Sequence, residues 1–453
     1  MDQGRDGKTA CGSVEAERNF SPDQPGARFT QRHLGRAARG SGPGAVWYGA
    51  RFYITISQGN GERLIHNEAI AHSTAPAPRR RIMIVAGEAS GDLHGSDLAR
   101  EILALDSSCE MFGIAGERMR RTGVKALVRM EDIHGLGLTE LASTISRTLG
   151  AMRTLRAILR RNKPDLLVLI DYAEFNLILA GAAKRAGVPV LYYITPQVWA
   201  WRRGRIRKIV ERADRMAVVL PFEKQLYAAA GERVSFVGHP LLDRVRPEGG
   251  RAETLARHGL APNARLLALL PGSRRAEVRY MLAPMAEAAR ILAHDHGLVP
   301  VIALAPTLSR EELAREGRAD LSGISIIQGD TYSIIAASEA ALVTSGTATL
   351  ETALLGCPMV VVYKVSPLTY VLGRALIRGV DFIGMPNILA GERIVPELIQ
   401  GELTARNLVR AAEPLLNESI RSATVSRLKD LRHQLGEPGA ARRVAAIALG
   451  MLT

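Results

Sequence analysis

Cysteine is nearly absent from this chain: Cys11, Cys109 and Cys357 are the three in 453 residues. They are too far apart for a CxxC pair, a zinc set or a disulfide framework. This is the usage of a reducing compartment, and Cys109 and Cys357 are expected beside core strands as small hydrophobes. Aromatic residues are also scarce, at 5%. No apolar run approaches the roughly 20 residues that span a bilayer. No secretory signal is expected at the N-terminus. Any membrane contact would therefore be made from the surface. The first Gly-rich turn is not Gly-x-Gly-x-x-Gly, so a nicotinamide cofactor is not indicated. No Asp-x-Asp sits in a suitable loop, and His94, His134 and His239 form neither a triad nor a metal pair. Neither a bound metal nor any other cofactor is called for. Acidic residues are in deficit, 45 against 59 Lys and Arg, for a net charge of +14. That excess favours anionic partners: nucleic acid, an acidic membrane surface or a phosphorylated substrate.

What is present is a large apolar complement, 47% of residues, enough for two domains with cores of their own. Residues 1–80 are rich in Gly, Arg, Ser and Pro without sustained periodicity. They are expected to form a disordered N-terminal extension. Order begins at Ile82-Met-Ile-Val-Ala-Gly-Glu-Ala-Ser-Gly-Asp92, a buried strand, a turn and a helix to about Leu105. Strand-like runs follow at Leu166–Ile170, Val190–Ile194, Arg215–Leu220 and Val234–Val237, with the intervening segments expected as helices. A second series starts near Arg265–Pro271 and runs through Val299–Leu304, Ile324–Ile327, Ala340–Val343 and Met359–Tyr363. The pattern is α/β: two Rossmann-like, doubly wound domains facing across a cleft. The expected domains are 82–243 and 244–424, with a terminal helical segment, 425–452, able to pack back on the first.

Several turns could carry chemistry. In Val343-Thr-Ser-Gly-Thr-Ala-Thr-Leu-Glu351 a strand runs into a Ser-Gly-Thr turn and a helix. First-turn N–H groups there would suit a diphosphate. Ser345, Gly346 and Thr347 form that turn, and Glu351, about one and a half turns on, can accept from sugar hydroxyls. Gly272, Ser273 and Arg274 form a similar turn, with Arg274 able to neutralise a departing diphosphate. Asp171, directly after a buried strand, should point into the crevice at the strand ends. Partial desolvation would make it a better base, with Glu174 and Asn176 close enough to help. Glu88 and Asp92 could bind hydroxyl groups. Asn387, in a Pro/Gly-bounded loop, could bond donors or acceptors of a ligand. Trp199, Trp201 and Arg202 belong to a Trp- and Arg-rich stretch of the kind used at nucleic acid, a membrane interface or a phosphosugar-lipid site. Each stretch also has a plain structural reading as a capped turn, a core aromatic or a solvated helix face.

Together these stretches resemble the lipid-A-disaccharide synthase family of inverting GT-B glycosyltransferases. The resemblance rests on Val85–Asp92, Gly113–Gly116, Gly137–Glu140, Ile170–Asn176, Pro196–Arg202, Leu220–Glu223, Phe236–Pro240, Leu270–Arg274, Ser345–Glu351, Pro386-Asn387 and Val395–Leu398, in the family's order across 82 to about 450. It implies transfer of a sugar from UDP-2,3-diacylglucosamine to the 6-hydroxyl of 2,3-diacylglucosamine 1-phosphate (lipid X). A β(1→6) disaccharide 1-phosphate forms and UDP leaves. It further implies Asp171 as general base, Glu351 at the ribose, and Glu88 and Asn387 as residues needed for activity. Trp199, Trp201 and Arg202 would face the acceptor or the membrane. The chain departs from the family in reading Asp171-Tyr-Ala-Glu174-Phe-Asn for Asp-Ala-Pro-Asp-Phe-Asn, and Gly135-Leu-Gly137 for Val-Met-Gly.

Acylated substrates imply a cytoplasmic protein lying peripherally on the inner membrane. Met152, Leu155, Ile158 and Leu159, flanked by Arg153, Arg156, Arg160 and Arg161, form a candidate apolar face for it. A homodimer is one of the assemblies the sequence leaves open. Two rivals stand beside this reading. One is a same-fold enzyme on another UDP-sugar, such as a UDP-GlcNAc epimerase. The other is a basic nucleic-acid-binding protein, which would leave the diphosphate turns without a purpose.

Overall fold

The computed structural model describes residues 54–57, 62–65, 80–133, 141–196, 204–367, 369–371 and 381–452, without the side chains of 54–57, 62–65 and 141–144. Residues 1–77 and 78–453 separate as two compact units. In the first, within the segment expected to be a disordered extension, β1 (Ile54–Ser57) and β2 (Glu62–Ile65) pair as an antiparallel hairpin.

The second unit carries two all-parallel sheets. The first has seven strands: β3 (Arg81–Ala86), β4 (Glu110–Ala115), β5 (Lys125–Arg129), β6 (Leu166–Ile170), β7 (Val190–Tyr193), β8 (Arg215–Val218) and β9 (Val234–Phe236). Their order is β5-β4-β3-β6-β7-β8-β9. The second has six: β10 (Arg265–Leu270), β11 (Leu298–Leu304), β12 (Ser325–Gln328), β13 (Ser338–Thr344), β14 (Met359–Tyr363) and β15 (Glu397–Ile399). Their order is β12-β11-β10-β13-β14-β15. The central strands are buried on both faces, and so read as unbroken apolar runs rather than alternations.

The region between the first two expected strands is not purely helical. β4 and β5 run through it, and β5 is an edge strand with charged ends, Lys125 and Arg129, and no fully buried residue. Such an edge has no uniform apolar signature.

The two sheets share a core. Leu350 and Leu354 of the helix Thr347–Leu354 join a cluster with Ile82, Ile170 and Leu98 of the first sheet's side. The chain's end strengthens that bond. Helix Glu418–Gln434 stays with the second sheet, its Leu428 and Leu431 buried among β10, β13 and β14 residues. The chain then crosses over. Helix Ala440–Gly450 buries Val444, Ala445 and Ala448 with Leu98 and Ile102 of helix Ala89–Leu105. Packing on the first sheet therefore begins after Gln434, not at Val425.

Candidate active site

The turn after β13 is built as the residue types require. Gly346 adopts φ 146°, a conformation that strains residues with a Cβ. Ser345 is held by its Oγ, which donates to Ile383 O at 2.7 Å. The helix Thr347–Leu354 opens next; Thr349 N–H bonds back to Gly346 O at 3.1 Å, which leaves the Thr347 and Ala348 N–H groups without an acceptor among the described residues. A cavity of about 540 Å³ lies in front of them. Its walls include Gly272, Ser273, Arg274, Ser345, Gly346, Thr347 and Glu351, so the seven residues expected at a UDP site are brought together. Tyr332 and Thr344 are among the lining residues that the sequence did not single out. Tyr332 donates from its hydroxyl to Glu351 Oε1 at 2.8 Å. Thr344 Oγ1 is buried with no partner among the described residues. Burial raises the pKa of Glu351, and the Tyr332 hydrogen bond opposes the rise.

The Pro271–Arg274 turn differs from expectation. Glu277 Oε2 accepts from the Ser273 and Arg274 N–H groups at 2.8 and 3.2 Å. Those backbone donors are already used by the helix Arg275–His296, whose N3 residue is Glu277, and so are not open to a diphosphate. The Arg274 side chain remains 76% exposed and, among the described residues, has a single polar contact, to Glu277 Oε1 at 3.4 Å. The guanidinium, not the turn's amides, is what this segment can offer.

Asp171 follows β6 and sits at the carboxyl end of the first sheet. It and Tyr172 both adopt left-handed backbone, φ 46° and 48°, a costly conformation for two consecutive non-glycine residues. Neighbouring groups hold it. The Asn176 amide donates to Ile170 O and Asp171 O at 3.1 and 2.8 Å, and the Tyr192 hydroxyl lies 3.1 Å from Asp171 O. The Tyr172 ring presses so closely on Gly87 that a Cβ there would lie 2.2 Å from it. Burial raises the Asp171 carboxyl from its ordinary 3.8 to about 6, and the negative charge of Glu88 adds to the rise. Glu88 and Asp171 are thus electrostatic neighbours, although neither lines the 540 Å³ cavity.

Other residues take structural roles. Asn176 is buried; its Nδ2 serves the backbone, and its Oδ1 has no partner among the described residues. Glu174 pairs with Arg205. Asp92 accepts from Arg118 N and Met119 N at 2.9 and 3.1 Å, capping the helix Glu117–Arg121 instead of binding hydroxyls. Asn387 is wholly buried. Its Nδ2 donates to Val395 O and Glu397 Oε1, and its Oδ1 accepts from Ile394 and Val395 N–H, all at 2.8–3.0 Å. Its capacity is filled by protein, so it does not reach a ligand here. Glu397 accepts in addition from Ile383 and Gly384 N–H. The pair thereby shapes the loop on which Ser345 leans.

His94 and His239 are buried, which lowers their pKa values to about 4 and about 3 and keeps both neutral. His134, Trp199, Trp201 and Arg202 lie outside the described residues. The candidate apolar face of helix Leu141–Arg161 is turned into the protein instead of toward a membrane. Met152, Leu155 and Leu159 belong to the core beneath the first sheet. The exposed apolar side chains are instead Ile145 and Leu149, earlier on that helix.

Comparison with known proteins adds a separate line of argument. The family model described as lipid-A-disaccharide synthetase matches residues 82–450. A lipid-A-disaccharide synthase of Geobacter metallireducens is 47% identical over 378 residues, covering 83% of this chain and 98% of that protein. One from Syntrophus aciditrophicus is 47% identical over 379 residues, covering 82% and 97%. Among solved structures, the UDP-GlcNAc 2-epimerase of Neisseria meningitidis bound to UDP-GlcNAc superposes with TM-score 0.55 at 14% identity, covering 82% of this chain and all of that one. The calicheamicin glycosyltransferase CalG4 does so with TM-score 0.53 at 17% identity, covering 83% and 98%. At such identities these two likenesses speak for the GT-B fold alone.

Proposed function

The chain belongs to the lipid-A-disaccharide synthetase family, and from that membership we propose how its residues carry out glycosyl transfer in lipid A biosynthesis. The donor is UDP-2,3-diacylglucosamine and the acceptor lipid X. The acceptor's 6-hydroxyl attacks the anomeric carbon, UDP departs, and the single displacement inverts that carbon to give the β(1→6) disaccharide 1-phosphate.

Asp171 takes the proton of the attacking hydroxyl. The observation that carries this reading is its carboxyl, pushed up to about 6 at the end of a buried strand. It is ionised at neutral pH yet more basic than an ordinary aspartate. Glu88 supports that basicity through its charge. On the donor side, first-turn N–H groups after Ser345 and Gly346 meet the diphosphate, and Glu351 meets the ribose. Arg274 supplies the cation that stabilises charge on the leaving UDP. Asn387 acts as a positioning residue behind the Ser345 turn. The acceptor is assigned to the first sheet's domain, from residue 82 to 243, and UDP-sugar to the second, from 244 through the helix Glu418–Gln434.

No described helix is long and apolar enough to cross a membrane. We propose peripheral contact with the cytoplasmic face of the inner membrane through Ile145 and Leu149, aided by Arg147, Arg153 and the net charge of +14. Trp199, Trp201 and Arg202 are proposed on the acceptor side, and a homodimer remains a proposal about assembly.

The test is an assay in detergent micelles with UDP-2,3-diacylglucosamine and lipid X, following UDP and disaccharide by mass spectrometry. Disaccharide and UDP are expected in equal amounts. Turnover of UDP-GlcNAc lacking acyl chains, with none of the acylated donor, would move the assignment to another UDP-sugar enzyme of the same fold.

A further inference from the structure

Glu351 is a carboxylate with one oxygen occupied. Tyr332 donates to Oε1 at 2.8 Å, and no other hydrogen bond engages the side chain among the described residues. Both residues line the 540 Å³ cavity. They come from different βα units. Tyr332 lies on the short helix Thr331–Ala337 after β12, and Glu351 on the helix after β13. The Tyr332 ring is itself anchored, because it packs against the cluster that joins the two sheets. Burial and the neighbouring carboxylate both raise the phenol's pKa, so the hydroxyl stays protonated and acts only as a donor to Glu351.

We infer that Tyr332 is a positioning residue for nucleoside recognition: it holds Glu351 in one rotamer so that the second carboxylate oxygen is presented to a ribose hydroxyl. A glutamate side chain is rich in rotamers, and freezing it during binding costs affinity. Tyr332 freezes it beforehand. It also leaves Oε2 without a donor, and a sugar hydroxyl can supply one. The inference rests on the proposed contact between Glu351 and the ribose.

The experiment titrates UDP, 2′-deoxy-UDP and 3′-deoxy-UDP into the full chain, its Tyr332→Phe variant and its Glu351→Ala variant by calorimetry. The unsubstituted protein should prefer UDP over at least one deoxy analogue by about tenfold or more, the worth of a hydrogen bond to a charged group. Tyr332→Phe should weaken UDP binding about three- to tenfold while leaving that analogue's affinity unchanged, so the preference shrinks by the same factor. The unchanged analogue affinity also shows that the variant is folded. If Tyr332→Phe keeps the full preference while Glu351→Ala abolishes it, the inference is overturned and the ribose contact stands. If Tyr332→Phe weakens UDP and analogue equally, the ring only packs, and the inference is again overturned. If the unsubstituted protein shows no preference for UDP, the ribose contact fails and takes the inference with it.

Discussion

Asp171 is held against two penalties, a left-handed backbone and a partly desolvated carboxylate. Asparagine tolerates the first and avoids the second. An acid whose pKa is higher in the folded than in the unfolded chain supports the fold at low pH. That support is lost as pH rises through the folded value. Between its ordinary 3.8 and about 6, the loss amounts to up to about 3 kcal/mol. Asp171→Asn should therefore raise the melting temperature at pH 8 and lose the advantage toward pH 4. The same variant should lower kcat by about 10²–10⁴-fold, the worth of a general base. Near-normal turnover in Asp171→Asn, with UDP binding intact, would remove Asp171 from the base role. For the unsubstituted enzyme, kcat/KM should fall below about pH 6 as the base protonates. Glu88→Gln should move that limb to lower pH, because it removes the charge that raises the Asp171 pKa. A limb that moves up, or stays, would mean that Glu88 acts in some other way.

Loops and helix ends divide into those that spend their polar groups on the fold and those that keep them. The Pro271–Arg274 turn spends its amides on Glu277, whereas the helix after Gly346 keeps its first N–H groups. The loop from Ile383 to Glu397 belongs to the first kind. Asn387 and Glu397 together make six hydrogen bonds along it, one of them to each other and five to backbone groups. Asn387→Ala should cost about 2–4 kcal/mol in urea unfolding, because buried donors and acceptors lose their partners at once. UDP affinity should fall together with stability, because the loop on which Ser345 leans is loosened. A loss of UDP affinity without a loss of stability would instead make Asn387 a ligand contact.

The two sheets are expected to melt as one body. Leu350 and Leu354 share a core with the first sheet, Ala440–Gly450 crosses from the second sheet to helix Ala89–Leu105, and Arg244 makes a bidentate ion pair with Asp97 of that helix. UDP bound on the second sheet should then stabilise both. At a free concentration of 100 times Kd the gain is about 2.7 kcal/mol, seen in calorimetry as one transition moved upward. Val444→Asp, a charge placed in the shared core, should split the transition, with UDP raising only one part. Two transitions in the unsubstituted protein would show that the crossing helix does not couple the sheets.

Much of this was legible in the residues. Buried parallel strands are unbroken apolar runs, so β3, β6, β7, β10, β13 and β14 could be read directly, and with them two α/β series. Gly346 and Glu351 were legible because a strand, a glycine turn and a helix lie adjacent in sequence. β5 was not, because its residues are half exposed and its ends carry charge, and β4 was not, because Glu110 and Gly113 interrupt its apolar run although it is buried. The local pattern was also silent on which polar groups are already satisfied. Asn387, Asp92 and the Ser273 and Arg274 amides all look available in sequence, and all are taken by partners that folding brings to them. Tyr332 was missed for the converse reason. Its partner is 19 residues away on a different βα unit, and no spacing rule links them. Chemistry carried by a single turn is written along the chain. Which side chains remain free to use it depends on hydrogen bonds closed between segments, and these exist only once the sheets and helices have packed.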